Sequence, residues 1–235
     1  MVNNLQVPSH WIEIKGLKIH FKCLGEGPPV ILLHGGGNDW REWRKNLIPL
    51  AQGLRIYAPD LPGFGLSDPP LMPVSPSWFS SFLKDFMEAV GVKEAHIIGH
   101  SLGGTLAIAL ALDFPQKVKK VVLIDSAGLG PISGKGRLFL FLLGGLKKVL
   151  GKENKPKFKP RSAKEWLLAD RLAELRAKVM IVWGENDPYL PTSQAELAHQ
   201  LIPDSELRIF PRCRHAPHRE RSNEFNHLVY QFLTQ

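Results

Sequence analysis

The sequence predicts a doubly wound, mostly parallel α/β sheet carrying a short lid insertion. Three observations lead there. Several short runs, such as residues 29–34 and 95–99, are apolar at nearly every position, as strands covered on both faces must be. These runs alternate with stretches of helical period, which implies parallel strands joined by right-handed helical crossovers. Finally, 235 residues with 44% hydrophobic and 22% charged content suit one soluble domain with a full core.

The elements follow in order. Residues 11–15 and 17–24 alternate around Lys15-Gly16 and read as a hairpin. A buried strand at 29–34 leads to a helix at 41–50, and a second strand covers 54–59. Residues 75–90 carry helical period, with Ser75 or Ser77 able to cap the first turn. Strands follow at 95–99, 118–125 and 178–183, and a last one at 206–210. Helices are expected at 102–113, 192–201 and 223–233.

Regular alternation lapses between Asp125 and Lys178. The chain therefore divides into a first core part at 1–128, a short basic insertion at 129–170 and a second core part at 171–235. Gly128, Gly130, Gly134 and Gly136 loosen the entry to the insertion. It is expected to lie as a lid over the carboxyl ends of the strands, where open α/β sheets bind ligands. Its run LFLFLL at 138–143 is apolar on every side. Leu138, Phe139 and Phe141 are thus candidates to line an acyl pocket.

The net charge is +8, and its location is informative. Residues 129–170 hold ten Lys and Arg against three acidic residues, so nearly all the excess sits in that segment. A nucleic-acid binder would more often spread basic residues over its core, and no such motif is present. Lid packing with solvated lysines is the simplest use of the segment. Peripheral contact with an anionic membrane is the sharper alternative. No apolar run approaches the ~20 residues of a membrane-spanning helix, and the start lacks the pattern of a signal peptide. Two cysteines, Cys23 and Cys213, suggest neither a disulfide framework nor a metal site, so a cytoplasmic location is expected. The nine histidines show no metal-ligand spacing, and neither metal nor cofactor is expected.

The most informative stretch is Gly99-His100-Ser101-Leu102-Gly103, a G-x-S-x-G pattern between a predicted strand and a predicted helix. A sharp turn there pushes a serine hydroxyl out of the fold, and the flanking glycines let strand and helix close together. Four more segments complete a pattern: LHGGG at 33–37, APDLPGFGLSD at 58–68, WGENDPYLP at 183–191 and CRHAPHRE at 213–220. With these the chain resembles the α/β-hydrolases over nearly its whole length. The resemblance implies a serine hydrolase, with carboxylic ester cleavage through an acyl-enzyme as the first expectation. A carbon–carbon bond hydrolase ranks second, on the strength of the triple glycine at 35–37 and the SLGG run at 101–104. Thioesterase and perhydrolase activities stay open, as does a slow-turnover ligand receptor of the same fold.

Under that resemblance Ser101 is the nucleophile, His215 its base and Asp187 the acid that orients the imidazole. Asp125, at the end of another strand, is the rival acid. The backbone N–H groups of Gly36 and Leu102 would form the oxyanion hole, with Gly37 as the alternative to Gly36 and otherwise a substrate-binding position. His34, His100, Asp60 and Glu185 read as loop-bonding residues. Two departures from the family pattern stand out. Arg214 replaces a glycine before His215, and the lid is short. The expected partner is a small ester with an apolar acyl group.

Overall fold

The computed structural model describes residues 7–132, 134, 162 and 164–235. Eight strands form one sheet: β1 (Ser9–Ile14), β2 (Leu17–Leu24), β3 (Pro29–Leu33), β4 (Arg55–Pro59), β5 (Ala95–His100), β6 (Val118–Ile124), β7 (Lys178–Gly184) and β8 (Glu206–Phe210). Among the described residues six α-helices accompany them: α1 (Leu47–Leu50), α2 (Pro76–Ala89), α3 (Leu102–Asp113), α4 (Thr192–Leu201), α5 (Pro217–Glu220) and α6 (Ser222–Thr234). The spatial order is β1-β2-β4-β3-β5-β6-β7-β8. β1, β2 and β4 pair antiparallel, and every pairing from β4 through β3 to β8 is parallel. The β1–β2 turn uses Lys15 at φ 53° and Gly16 at φ 76°. That combination matches the twist of a tight hairpin.

Period-2 alternation assigns each central strand to two cores at once. On β3, Ile31 and Leu33 face one core while Val30 and Leu32 face the other. On β6, Val121 and Leu123 oppose Val122 and Ile124 in the same way. The first core is closed by α2, α3 and α4, through residues such as Phe82, Leu106 and Ala195. The second is closed by α1 and α6, through Leu47, Leu50, Phe225 and Val229. The doubly wound architecture is the one the sequence predicts.

The topology also sets the place of the site. From β3 the chain passes to β4 on one side, then crosses to β5 on the other side of β3. Loops leaving β3 and β5 therefore diverge and open a crevice at their carboxyl ends. The register pairs Leu33 with Gly99, so His34-Gly35 and Ser101 emerge side by side.

One predicted element is corrected. The helix expected at 41–50 is two short pieces, a 3-10 turn at Trp40–Trp43 and α1 at Leu47–Leu50. Pro49 explains the break. It has no N–H to offer Lys45, so a helix through 41–50 would lack a bond, whereas a helix beginning at Leu47 keeps the proline in its first turn. Of the insertion, only the ends are described. Leu168 N–H donates to Gly128 O at 2.8 Å, and Gln194 Nε2 donates to Pro131 O at 2.8 Å. Leu138, Phe139, Phe141 and the rest of the apolar run lie outside the described residues. Among the described residues no helix is long and apolar enough to cross a membrane.

The structure selects Ser75 as the cap of α2, its Oγ accepting from Trp78 N–H at 3.1 Å. Ser75→Ala should therefore cost about 1 kcal/mol and lower the melting temperature by about 2–4 °C. Ser77→Ala should cost less than Ser75→Ala in the same thermal melt. An equal loss from both would show that the cap is shared.

Candidate active site

Ser101 stands between β5 and α3 with φ 50° and ψ −113°. Backbone of that kind costs a non-glycine residue roughly 1–3 kcal/mol. Its surroundings hold it there. Ser101 N–H donates to Ile124 O at 2.9 Å, while its carbonyl accepts from Gly104 N–H and Ala127 N–H, both at 3.0 Å. The flanking glycines are needed for space. A Cβ on Gly99 would stand 2.2 Å from Gly103 O, and one on Gly103 would stand 2.1 Å from Leu33 O. The G-x-S-x-G pattern is thus a packing requirement joining β3, β5 and α3.

The other strand ends deliver the remaining groups. His215, after β8, shares a hydrogen bond between its Nδ1 and Asp187 Oδ2 at 2.7 Å. A carboxylate can only accept, so Nδ1 carries the proton and Nε2 is left as the basic nitrogen. Asp187 Oδ1 accepts from Tyr189 N–H at 2.7 Å and Leu190 N–H at 3.1 Å. The Tyr189 ring packs edge-on against His215 at 4.8 Å between centroids. Burial works against the charge of Asp187, but the His215 bond and the backbone donor outweigh it and hold the carboxyl below its ordinary value. Burial and the neighbouring His100 push His215 below 6.5, against the pull of Asp187.

Asp125 is not the partner of His215. It sits fully buried at the end of β6 with φ 39°, and its Oδ1 accepts from Gly184 N–H at 2.9 Å. Carboxylate oxygens of Asp125 and Asp187 and a ring nitrogen of His215 lie within 4.8 Å of one another. Burial, then the nearby Asp187 charge, raise the Asp125 carboxyl well above its usual range. Two acids thus sit side by side with their hold on a proton pushed in opposite directions, Asp187 downward and Asp125 upward. The pattern separates roles between neighbouring carboxyls.

Gly36 lies beside Leu102, since a Cβ built on it would be 3.9 Å from the Leu102 side chain. Their amides belong to adjoining loops, with Leu102 opening α3. Gly37 has φ 78°, a turn conformation consistent with a loop that bends back at the crevice. The loop-bonding readings agree with the contacts. His34 Nε2 accepts from Leu61 N–H at 3.0 Å. Asp60 accepts from Trp40 N–H at 2.8 Å and from Leu66 N–H at 3.0 Å. Glu185 accepts from Arg212 N–H at 2.9 Å. Arg214 is exposed, and its N–H is held by Glu220, so its substitution for glycine is accommodated at the loop surface.

The sequence did not point to Glu42. It is buried in the 3-10 turn with its carboxylate against His100 Nδ1 at 2.7 Å. No motif marks it, and within residues 41–50 apolar spacing was the only signal. Two side-chain sets hold enough ligand atoms for a metal: Glu42, His100 and His218, and Asp125, Asp187 and His215. Each contains a carboxylate–imidazole separation of 2.7 Å. Two ligands of one tetrahedral zinc, each about 2.1 Å from the ion, would stand about 3.4 Å apart. As they stand, the first set is a close ion pair and the second a hydrogen-bonded pair, rather than ion cages.

Comparison with known proteins agrees with this geometry. A model of the alpha/beta hydrolase fold family matches residues 28–166. The chain is 32% identical over 271 residues to a 2-hydroxy-6-oxo-6-phenylhexa-2,4-dienoate hydrolase of Burkholderia cepacia, covering 94% of each chain. It is 30% identical over 269 residues to a 2-hydroxy-6-oxononadienedioate/2-hydroxy-6-oxononatrienedioate hydrolase of Comamonas testosteroni, again covering 94% of each. Among solved structures, a meta-cleavage product hydrolase from Pseudomonas fluorescens IP01 superposes with a TM-score of 0.80 at 26% identity, covering 96% of this chain and 97% of that one. The naproxen esterase of Bacillus subtilis shares the fold, with a TM-score of 0.85 at 22% identity over 96% of this chain and 91% of that one. The chain belongs to the α/β-hydrolase family, within its serine hydrolases. The matched stretches of 271 and 269 positions exceed its 235 residues, so those relatives carry segments that this chain lacks.

The upward shift of Asp125 has a measurable consequence. An unfolded aspartate loses its proton near 3.8, whereas the folded Asp125 keeps its own to higher pH. Stability from this group is therefore present below that value and is lost as pH rises towards the folded pKa. Asparagine has no such proton. Denaturant melts of Asp125→Asn against wild type should shift in the variant's favour as pH rises from about 4 to 8. A difference independent of pH would show that Asp125 is ionised in the fold.

Proposed function

We propose that this protein hydrolyses carboxylic esters through an acyl-enzyme on Ser101. The observation that carries the reading is the His215–Asp187 pair together with the strained turn at Ser101, whose neighbour His100 donates from Nε2 to the His215 carbonyl at 2.6 Å. In this mechanism His215 Nε2 takes the Ser101 proton as Oγ attacks the substrate carbonyl. Asp187 holds the tautomer and offsets the imidazolium charge. The Gly36 and Leu102 N–H groups receive the oxyanion, Leu102 adding the positive end of the α3 dipole. His215 then returns the proton to the departing alcohol. Water attacks the acyl-enzyme by the same route in reverse. Ester cleavage needs only these groups.

A second reading is favoured by the names of the relatives. Cleavage of a carbon–carbon bond in a 2-hydroxy-6-oxodienoate would use the same serine, histidine and oxyanion donors. It would also need a proton delivered to carbon and a group to hold the substrate carboxylate. The ester needs neither of these, only a surface that faces its acyl part, and is therefore placed first. The proposed insertion at 129–170 would supply that surface, with an apolar acyl group as its match.

The test is turnover of p-nitrophenyl esters from acetate to palmitate, beside a 2-hydroxy-6-oxo-6-phenylhexa-2,4-dienoate, on wild type and Ser101→Ala. Ester turnover that falls at least about 1000-fold in the variant is the expected result. Turnover of the dienoate alone would establish the second reading. Equal ester rates in both proteins would remove Ser101 from the mechanism. Because His215 is held below 6.5, kcat/KM should rise with pH through an apparent pKa under that value and then level off. A limb centred above 6.5 would contradict that environment.

A further inference from the structure

We propose that Glu42 is a positioning residue whose single carboxylate ties the oxyanion loop to the histidine loop. Its role rests on the hydrolase reading above. The contacts form a continuous chain. Glu42 Oε2 accepts from Gly35 N–H at 2.7 Å. Oε1 faces His100 Nδ1 at 2.7 Å and accepts from Asn38 Nδ2 at 3.1 Å. On the far side of the ring, His100 Nε2 donates to the carbonyl of His215 at 2.6 Å. One acidic group thereby sets the residue next to Gly36, and through one imidazole the backbone of His215 itself.

Proton counting fixes the state of the link. A backbone carbonyl only accepts, so His100 Nε2 must carry a proton. The Glu42 carboxylate stands 2.7 Å from Nδ1 as an ion pair rather than an aligned hydrogen bond, and an unprotonated ring nitrogen would be repelled at that distance, so Nδ1 carries a proton too. His100 is then an imidazolium between two acceptors, and Glu42 is its buried counter-ion. The energetics agree. Burial opposes the charge on both groups, yet their mutual attraction outweighs it, raising His100 and holding Glu42 well below its usual value. His218, the other group against Glu42, stands with Nε2 at 3.7 Å and is pushed down to about 4, chiefly by burial, so it stays neutral.

Space is reserved for this arrangement. A Cβ on Gly35 would lie 2.8 Å from His100 Nδ1, so only glycine there lets the ring reach Glu42. The His100 ring also packs on His215 and His218, at 4.8 Å and 4.7 Å between centroids. Glu42 approaches neither Ser101 nor the reacting carbonyl through any of these contacts. It acts through His100 and Gly35.

Glu42→Gln and Glu42→Ala separate positioning from mere stability. Active sites are first counted by covalent labelling with a fluorophosphonate, and kcat for a p-nitrophenyl ester is then expressed per labelled site. A misplacement of about 1 Å in the histidine or the oxyanion donors should cost about 100-fold in kcat. KM should change little, because Glu42 does not touch the substrate. Glu42→Gln, which can still accept from Gly35, should fall between wild type and Glu42→Ala. An unchanged kcat per labelled site, with only fewer sites, would reduce Glu42 to a stability role and overturn the proposal. Nitrogen-15 NMR of the imidazoles needs no variant to fold. Wild-type His100 should give an imidazolium signal with two bound protons at pH 7, and a neutral ring would equally overturn it. Wild type that neither labels nor turns over would instead refute the hydrolase reading, an outcome distinct from both.

Discussion

The backbone of Ser101 is the constraint on which the rest of the site depends. At φ 50° the residue cannot relax into either neighbouring element, because its amide is bonded to β6 and its carbonyl is bonded to the segments after it. The turn exists only because β5 and α3 approach closely, and that approach leaves no room for side chains at Gly99 and Gly103. Since Gly103 also lies against the end of β3, the loop carrying Gly35 and Gly36 is fixed by the same contact. Local strain is thus offset by packing around it, which is how such conformations persist at reactive positions.

Electrostatics at the site follow from burial acting on groups with different partners. Asp187 has a histidine and two backbone donors and stays ionised. Asp125, a short distance away, has one backbone donor and a like charge beside it, and its carboxyl is pushed upward. Glu42 and His100 reach the opposite solution, each keeping the other charged in a place where neither would be charged alone. The three carboxyl groups, set around two imidazoles, are thus shifted in different directions, Asp187 and Glu42 downward and Asp125 upward. Each is decided by which partner the fold supplies.

Much of this was legible in the sequence, for identifiable reasons. Strands such as β3, and β6 from Val121 onward, announce themselves because burial on both faces leaves only apolar residues there. Ser101, Asp187 and His215 are legible because each sits in a short segment whose neighbours are dictated by the same turn that presents it. Of the two candidate acids, Asp187 is the one bonded to His215. What escaped depended on contacts distant in sequence. Glu42 meets His100 across more than fifty positions, and nothing local distinguishes it from a surface glutamate. The helix expected at 41–50 failed for a local reason, because apolar spacing was weighed without the missing amide of Pro49.

The bond from Leu168 N–H to Gly128 O closes the insertion upon itself at the surface of the core. The two ends of some forty residues therefore meet at a single hydrogen bond, and Gln194 of α4 steadies the entry through Pro131. A closed mouth of this kind decouples the inserted length from the stability of the sheet, since doubling a loop adds only about 0.6 kcal/mol to its closure. The core then behaves as a socket with fixed contacts. A replacement of the segment between Gly128 and Leu168 is therefore expected to leave the contacts of the serine, the histidine and the sheet beneath in place.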